Sequence, residues 1–275
     1  VSQGFSMFKS SAKQGFFVFE EKSMQRLILT ELNMTAKGMT IRVPEQDVRE
    51  DKSSRPRFFF FSDLHNKCEG AEGIRFLELL KKADPDVILC GGDILIAKPG
   101  YPTKTAVDFM ERLACEYPVF CGTGNHEARL SFYPEQYGSM AEDLAAPLVE
   151  AGVRFLHNES EIIHVKGKKF KIFGLDIEKE YYKRLERKTL PLSAVSDVLG
   201  EPDPTAFNIL LAHNPLYYKT YLDWGAELTL CGHYHGGIGR FGRRGMMSPD
   251  LHVLPKEAYG LFTKDEKALY VTSGA

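Results

Sequence analysis

The chain reads as a single α/β domain. Short apolar runs without alternation end on compact polar motifs, apolar residues at helical spacing follow, and this order of strand, motif and helix recurs three times before residue 152. Such alternation implies a predominantly parallel sheet with right-handed crossovers, whose polar groups collect beyond the carboxyl ends of the strands. With 275 residues, 43% of them hydrophobic, the chain can bury a large core.

Residues 1–57 mix aromatics and charges around a strand at 27–32 and end in a polar stretch at 50–57, so they read as an appended hairpin or flap preceding a main domain at 58–275. Phe58-Phe59-Phe60-Phe61 is a strand buried on both faces, stopping at Ser62-Asp63. Ile74, Leu77 and Leu80 recur at helical spacing, and Asp84-Pro85-Asp86 stops that helix. Val87-Ile88-Leu89-Cys90 is the next strand, 105–115 a helix, 119–121 a strand, and 135–151 largely helical with an interruption near Pro147. The second half changes character: 161–165 and 169–174 flank Lys166-Gly167-Lys168 as an antiparallel pair, and a charged helix follows over 177–188. Two more buried strands, 207–212 and 228–231, run directly into His213 and His233.

Lysine and arginine (35) nearly balance aspartate and glutamate (37), so the net charge of -2 argues against nucleic acid or an anionic membrane as the main partner. No apolar run approaches the roughly 20 residues that span a bilayer. The chain starts at Val1 rather than methionine and stops in a strand entering a turn at Ala275, so further segments are expected at both ends: the protein is cytoplasmic, or membrane-anchored if an N-terminal helix precedes Val1. Cys68, Cys90, Cys115, Cys121 and Cys231 are odd in number and lack Cys-x-x-Cys spacing, which argues against a disulfide framework or structural zinc site. Cys90, Cys121 and Cys231 read as small buried residues at strand ends, and Cys68 is the thiol to test for reactivity.

Chemistry concentrates in five motifs: Asp63-Leu64-His65, Gly92-Asp93, Gly124-Asn125-His126-Glu127, His213-Asn214 and Gly232-His233-Tyr234-His235. Asp63 and His65, two apart at a strand terminus, are expected to share a side of an extended chain. Asp93 adds a carboxylate able to bridge two cations, with glycines that let the backbone pass close by. Asn125 offers a neutral oxygen, and His233 and His235 two imidazoles on one side of an extended turn. Each motif alone is weak. Five of eight histidines placed directly after buried apolar runs make coincidence improbable.

In this order the motifs resemble those of the calcineurin-like metallophosphoesterases, and in detail the bacterial, membrane-anchored branch with Ser-Asp-Leu-His and Gly-His-x-His-Gly-Gly. The resemblance implies a four-layer α/β/β/α sandwich of two mixed sheets flanked by helices, and a dinuclear metal-dependent hydrolase of a phosphomonoester or phosphodiester. It further implies that Asp63, His65 and His235 bind one metal and Asn125, His213 and His233 the other, while Asp93 bridges them. His126 is then a proton donor and phosphate-positioning group. Nitrogen and oxygen ligands without thiolate favour manganese, iron or zinc over calcium. Water activated between two such ions attacks phosphorus without a separate strong base.

Relatives commonly carry an acid three residues after the bridging aspartate to orient the histidine, whereas this chain has Ile96, which leaves the support of His126 open. Arg240, Arg243 and Arg244, with Tyr234, are second-rank candidates for substrate contact. His157 reads as a surface or hydrogen-bonded residue, with a place in the pocket lining as its alternative, and His164 and His252 read as structural. Two alternatives stand beside the main reading: hydrolysis of a pyrophosphate bond in a nucleotide-linked lipid, as in some relatives, and a scaffold that kept the fold without activity. Oligomeric state is open.

Overall fold

The computed structural model describes residues 12–19, 27–35, 38–42, 56–68, 70–182, 188–234, 240–241, 244–245, 260–272 and 274. The first sheet contains β1 (Ala12–Phe19), β2 (Leu27–Thr35), β3 (Gly38–Arg42), β4 (Arg57–Phe61), β5 (Val87–Cys90), β6 (Val119–Cys121) and β7 (Arg154–Phe155), in the order β3-β2-β1-β4-β5-β6-β7. β4 to β7 are parallel, and the antiparallel meander β1 to β3 extends the sheet beyond β4. The second sheet begins with β8 (Glu159–Val165), β9 (Lys168–Gly174), β10 (Phe207–Leu211) and β11 (Leu228–Cys231). A small antiparallel pair, β12 (Arg240–Phe241) and β13 (Arg244–Gly245), precedes β14 (Gly260–Lys264) and β15 (Lys267–Val271), which complete the second sheet in the order β14-β15-β11-β10-β9-β8.

Helices α1 (Gly70–Ala83) and α2 (Lys104–Glu116) join the parallel strands of the first sheet, followed by α3 (Asn125–Phe132), α4 (Pro134–Tyr137) and α5 (Met140–Glu150). α6 (Ser193–Leu199) and α7 (Tyr218–Trp224) serve the second sheet. The side chains of β4 show why the layers stack as they do. All four phenylalanines are fully buried, and period-2 alternation sends Phe59 and Phe61 toward Phe76 of α1 and Phe109 of α2, while Phe58 and Phe60 enter a core shared with Phe170, Ile209, Leu228 and Tyr270 of the other sheet. A third core places Phe173, Leu210 and Leu269 against Val195 of α6 and Trp224 of α7. Helix, sheet, sheet and helix thus alternate with three apolar layers between them, the expected four-layer sandwich.

Several details differ from the sequence reading. Ile74 is 60% exposed, and Phe76, Leu79 and Leu80 form the buried face of α1. The helical stretch after residue 134 breaks at Gly138, whose φ of 58° suits glycine, while Pro147 is carried inside α5. Where a charged helix was expected over 177–188, there is a 3₁₀ turn at Lys179–Tyr182, and 183–187 lie outside the described residues. The expected β8–β9 hairpin is present, with φ of 48° at Lys166 and 78° at Gly167, the two left-handed residues of a type I′ turn. Among the described residues no helix is long and apolar enough to cross a membrane.

Candidate metal centre

Loops at the carboxyl ends of five parallel strands meet at one buried cluster. β4 delivers Asp63 and His65, β5 Asp93, β6 Asn125 at the first turn of α3, β10 His213 and β11 His233. Asp63, Asp93, Asn125, His213 and His233 are all buried. His65, Asp93 and His126 present ligand atoms within 4.8 Å of one another, and so do Asp93, His213 and His233, making Asp93 common to both sets.

Backbone conformation produces this convergence. Asp63 and His65 do not sit on an extended chain as the i, i+2 argument supposed: their φ values are 60° and 47°, in the left-handed region, as are Asp93 at 54° and His233 at 69°. The loop keeps its ladder nonetheless, with N–H groups of Asp63, His65 and Asn66 donating to the carbonyls of Gly92, Asp93 and Ile94 at 3.0, 3.0 and 3.1 Å. His233 occupies a turn in which its N–H donates to both Asp63 carboxylate oxygens at 3.0 Å. Two glycines are fixed by contact: a Cβ on Gly124 would strike the Asp93 carboxylate, and one on Gly232 would strike Ser62 Oγ and Asp63.

Hydrogen bonds set the remaining side chains. His213 Nδ1–H donates to Gly91 O at 2.8 Å, leaving Nε2 at 3.2 Å from Asn125 Oδ1 and 3.3 Å from Asp93 Oδ2. A ring held through one nitrogen by a carbonyl, with the other aimed at oxygen donors, is how a metal-ligating imidazole is oriented. His65 Nε2 lies 3.7 Å from Asp93 Oδ2 and 3.9 Å from Asp63 Oδ1. The first turn of α3 points at Asp93, the N–H of His126 donating to Oδ1 at 2.7 Å. These donors, buried and mixed in nitrogen and oxygen, fit a pair of divalent cations around Asp93.

Electrostatics match the geometry. Burial alone would raise the Asp93 carboxyl, but His213, with His126 and His65 beside it, holds it well below the usual carboxylate range. Burial works against a proton on His213, yet Asp93 and Asp63 push it up to about 10. Burial dominates at His126, holding it down at about 4 against the pull of Asp93, so this ring is neutral near pH 7.

The acid missing at Ile96 has a substitute of opposite character. The Ala97 N–H donates to His126 Nδ1 at 2.8 Å, which fixes the ring and leaves Nε2 as its proton-bearing nitrogen. A carboxylate there would favour the imidazolium, whereas an N–H donor favours the neutral ring. Glu127 turns away from its neighbour: it accepts from the N–H groups of Asp93 at 2.7 Å, Ile94 at 2.9 Å and Gly124 at 2.9 Å, buttressing the Asp93 loop. Burial, then Asp93, pushes its carboxyl up to about 7. Sequence reasoning saw Glu127 without its direction and missed the Ala97 N–H, because a backbone donor has no residue type to read.

The other candidates fall as follows. Tyr234 is buried with its ring 5.8 Å from that of His233. His235 and Arg243 lie outside the described residues, and Arg240 and Arg244 are placed only as strand residues of β12 and β13. Cys68 is buried, with Sγ 3.4 Å from Thr105 O.

The calcineurin-like phosphoesterase profile matches residues 56–237, from the start of β4 through the last histidine motif. The chain belongs to that family. Phosphodiesterase YaeI of Escherichia coli (strain K12) is 27% identical over 242 residues, covering 82% of this chain and 77% of its own. YpbG of Bacillus subtilis (strain 168) is 27% identical over 217 residues, covering 77% and 73%. Among solved structures, the phosphopantetheinyl hydrolase PptH of Mycobacterium tuberculosis shares 14% identity at a TM-score of 0.47, over 80% of this chain and 89% of that one.

Proposed function

We propose that the protein is a dinuclear metal-dependent hydrolase of a phosphomonoester or phosphodiester. The position of Asp93 in both ligand-capable groups carries this reading. Asp63 and His65, with His235 from the last motif, would hold one cation and Asn125, His213 and His233 the other, with Asp93 shared between them. When bound, a pair of divalent cations, whether manganese, iron or zinc, would supply activated water and neutralise phosphoryl oxygens. The chain's own groups do the rest. His213, fixed by Gly91 O, keeps Nε2 available, and Glu127 holds the Asp93 loop by its N–H groups. His126, neutral and fixed by Ala97, donates a hydrogen bond from Nε2–H to the phosphoryl or leaving-group oxygen, positioning it and stabilising the charge that develops there. Selectivity lies in the loops and in residues 1–57, a segment appended to the catalytic domain at 58–275.

The experiment is hydrolysis of a panel of phosphomonoester, bis(p-nitrophenyl) phosphate and pyrophosphate substrates with manganese, alongside metal analysis. Turnover is expected to vanish with chelator and to fall at least about 10³-fold in Asp93→Ala, since the metals supply several kcal/mol. Protein that binds two metals yet hydrolyses none of these substrates is a scaffold, and the reading fails.

A further inference from the structure

Strand register puts His157 in line with the metal ligands. Asp63, Gly92, Thr123 and His157 each lie two residues beyond a mutually paired set, Phe61 with Cys90, Cys90 with Cys121, and Cys121 with Phe155. In the second sheet Asp176 and His213 likewise lie two residues beyond the pair Gly174 and Leu211. His157 therefore occupies on β7 the level that Asp63 occupies on β4, and Asp176 on β9 that of His213 on β10.

The side chains at this corner are organised. His157 Nδ1 is 2.9 Å from both Asp176 Oδ2 and Thr123 Oγ1, and its ring stacks on Phe155 at an interplanar angle of 8°. A carboxylate only accepts, so Nδ1 carries a proton, while Nε2 of this half-exposed ring takes no part in either bond. Asp176 is itself anchored, its N–H donating to Asn158 Oδ1 at 2.8 Å, while its Oδ1 is buried without a hydrogen bond among the described residues. Tyr182 lies beside α3, its ring centroid 6.1 Å from that of Phe132 in the helix that begins at Asn125. By register the corner adjoins the metal centre, and among the described residues it belongs to neither ligand-capable group.

We propose that His157, oriented by Asp176 and Thr123, forms a subsite for a second anionic group of the substrate, a phosphate or carboxylate beyond the reacting phosphate, contacted by Nε2–H of His157. This rests on the phosphoesterase reading above. Asp176 chiefly, then Glu159 and Glu127, raises the affinity of His157 for a proton despite its partial burial. The charge is present below that raised value and lost above it, so the subsite weakens as pH rises.

The test is calorimetric binding to the manganese-loaded protein, at fixed free manganese, of two pairs differing by one anionic group: glycerol 3-phosphate with 3-phosphoglycerate, and AMP with ADP. The two-anion member of each pair is expected to bind more tightly. His157→Gln should cut that advantage about tenfold or more, as loss of a hydrogen bond to a charged group does. Asp176→Asn should cut it less and shift its decline to lower pH. No advantage in the parent protein, or an advantage untouched by His157→Gln, overturns the subsite. Manganese-dependent hydrolysis of bis(p-nitrophenyl) phosphate, measured in parallel, decides the underlying reading separately. Melting temperature and metal content of each variant separate a folding defect from a lost contact.

Discussion

At the amino ends of β4 and β5, Asp86 accepts the Arg57 N–H at 2.7 Å and meets Lys166 of the facing sheet at 2.9 Å. At the carboxyl ends of the same strands, Asp63 and Asp93 face imidazoles across 3.3 to 3.9 Å, in backbone of left-handed conformation. One pole pairs Asp86 with a close partner of fixed charge, Lys166, and so fastens the sheets. The other gathers two carboxylates and two imidazoles, His213 Nε2 3.3 Å and His65 Nε2 3.7 Å from the same Asp93 carboxylate oxygen. Stability and chemistry are thus divided along the strand axis.

Substitutions at the two poles should separate those roles. The largest effect is expected for His126→Ala, which keeps both metals and loses about 10²–10⁴-fold in turnover; loss of both metals by elemental analysis would reassign His126 as a ligand. Glu127→Gln comes next, because an amide must turn its NH₂ toward backbone N–H donors, and a drop of about 10–100-fold in manganese affinity or turnover is expected. Asp86→Ala, at the opposite pole, should cost about 1–3 kcal/mol by stranding the Arg57 N–H, lowering the melting temperature by several degrees while kcat holds. A fall in kcat as large as that in stability would erase the division. The smallest effect concerns pH. In metal-free protein the raised proton affinity of His213 stabilises the fold fully below about 6.5, its usual value, and this contribution disappears as pH rises through about 10. Melting temperature of chelated protein should therefore decline across that window, more steeply than with manganese bound.

Much of this was legible in the sequence because burial and order are written in residue type. Phe58 to Phe61 could only be a strand covered on both faces, and His213 and His233 follow apolar runs that end at the same edge. What escaped is carried by backbone. The i, i+2 argument brought Asp63 and His65 together by the wrong local geometry, since left-handed φ rather than strand alternation aims them. Ile96 left a gap that the Ala97 N–H fills, and Gly138 rather than Pro147 breaks the helical stretch. His157 had no motif around it, and only strand register reveals its level beside the ligands.

The candidate ligands come from both sheets, and a layer of aromatic contacts, Phe58 on Phe170 with centroids 4.8 Å apart and Phe60 on Tyr270 at 6.2 Å, is the bearing on which one sheet rests against the other. Sliding at that bearing would alter the reach between Asp93 on one sheet and His213 on the other. The interior of the sandwich therefore acts as a spacer gauge for the cluster, and residues far from Asp93 and His213 share in fixing the distance between them.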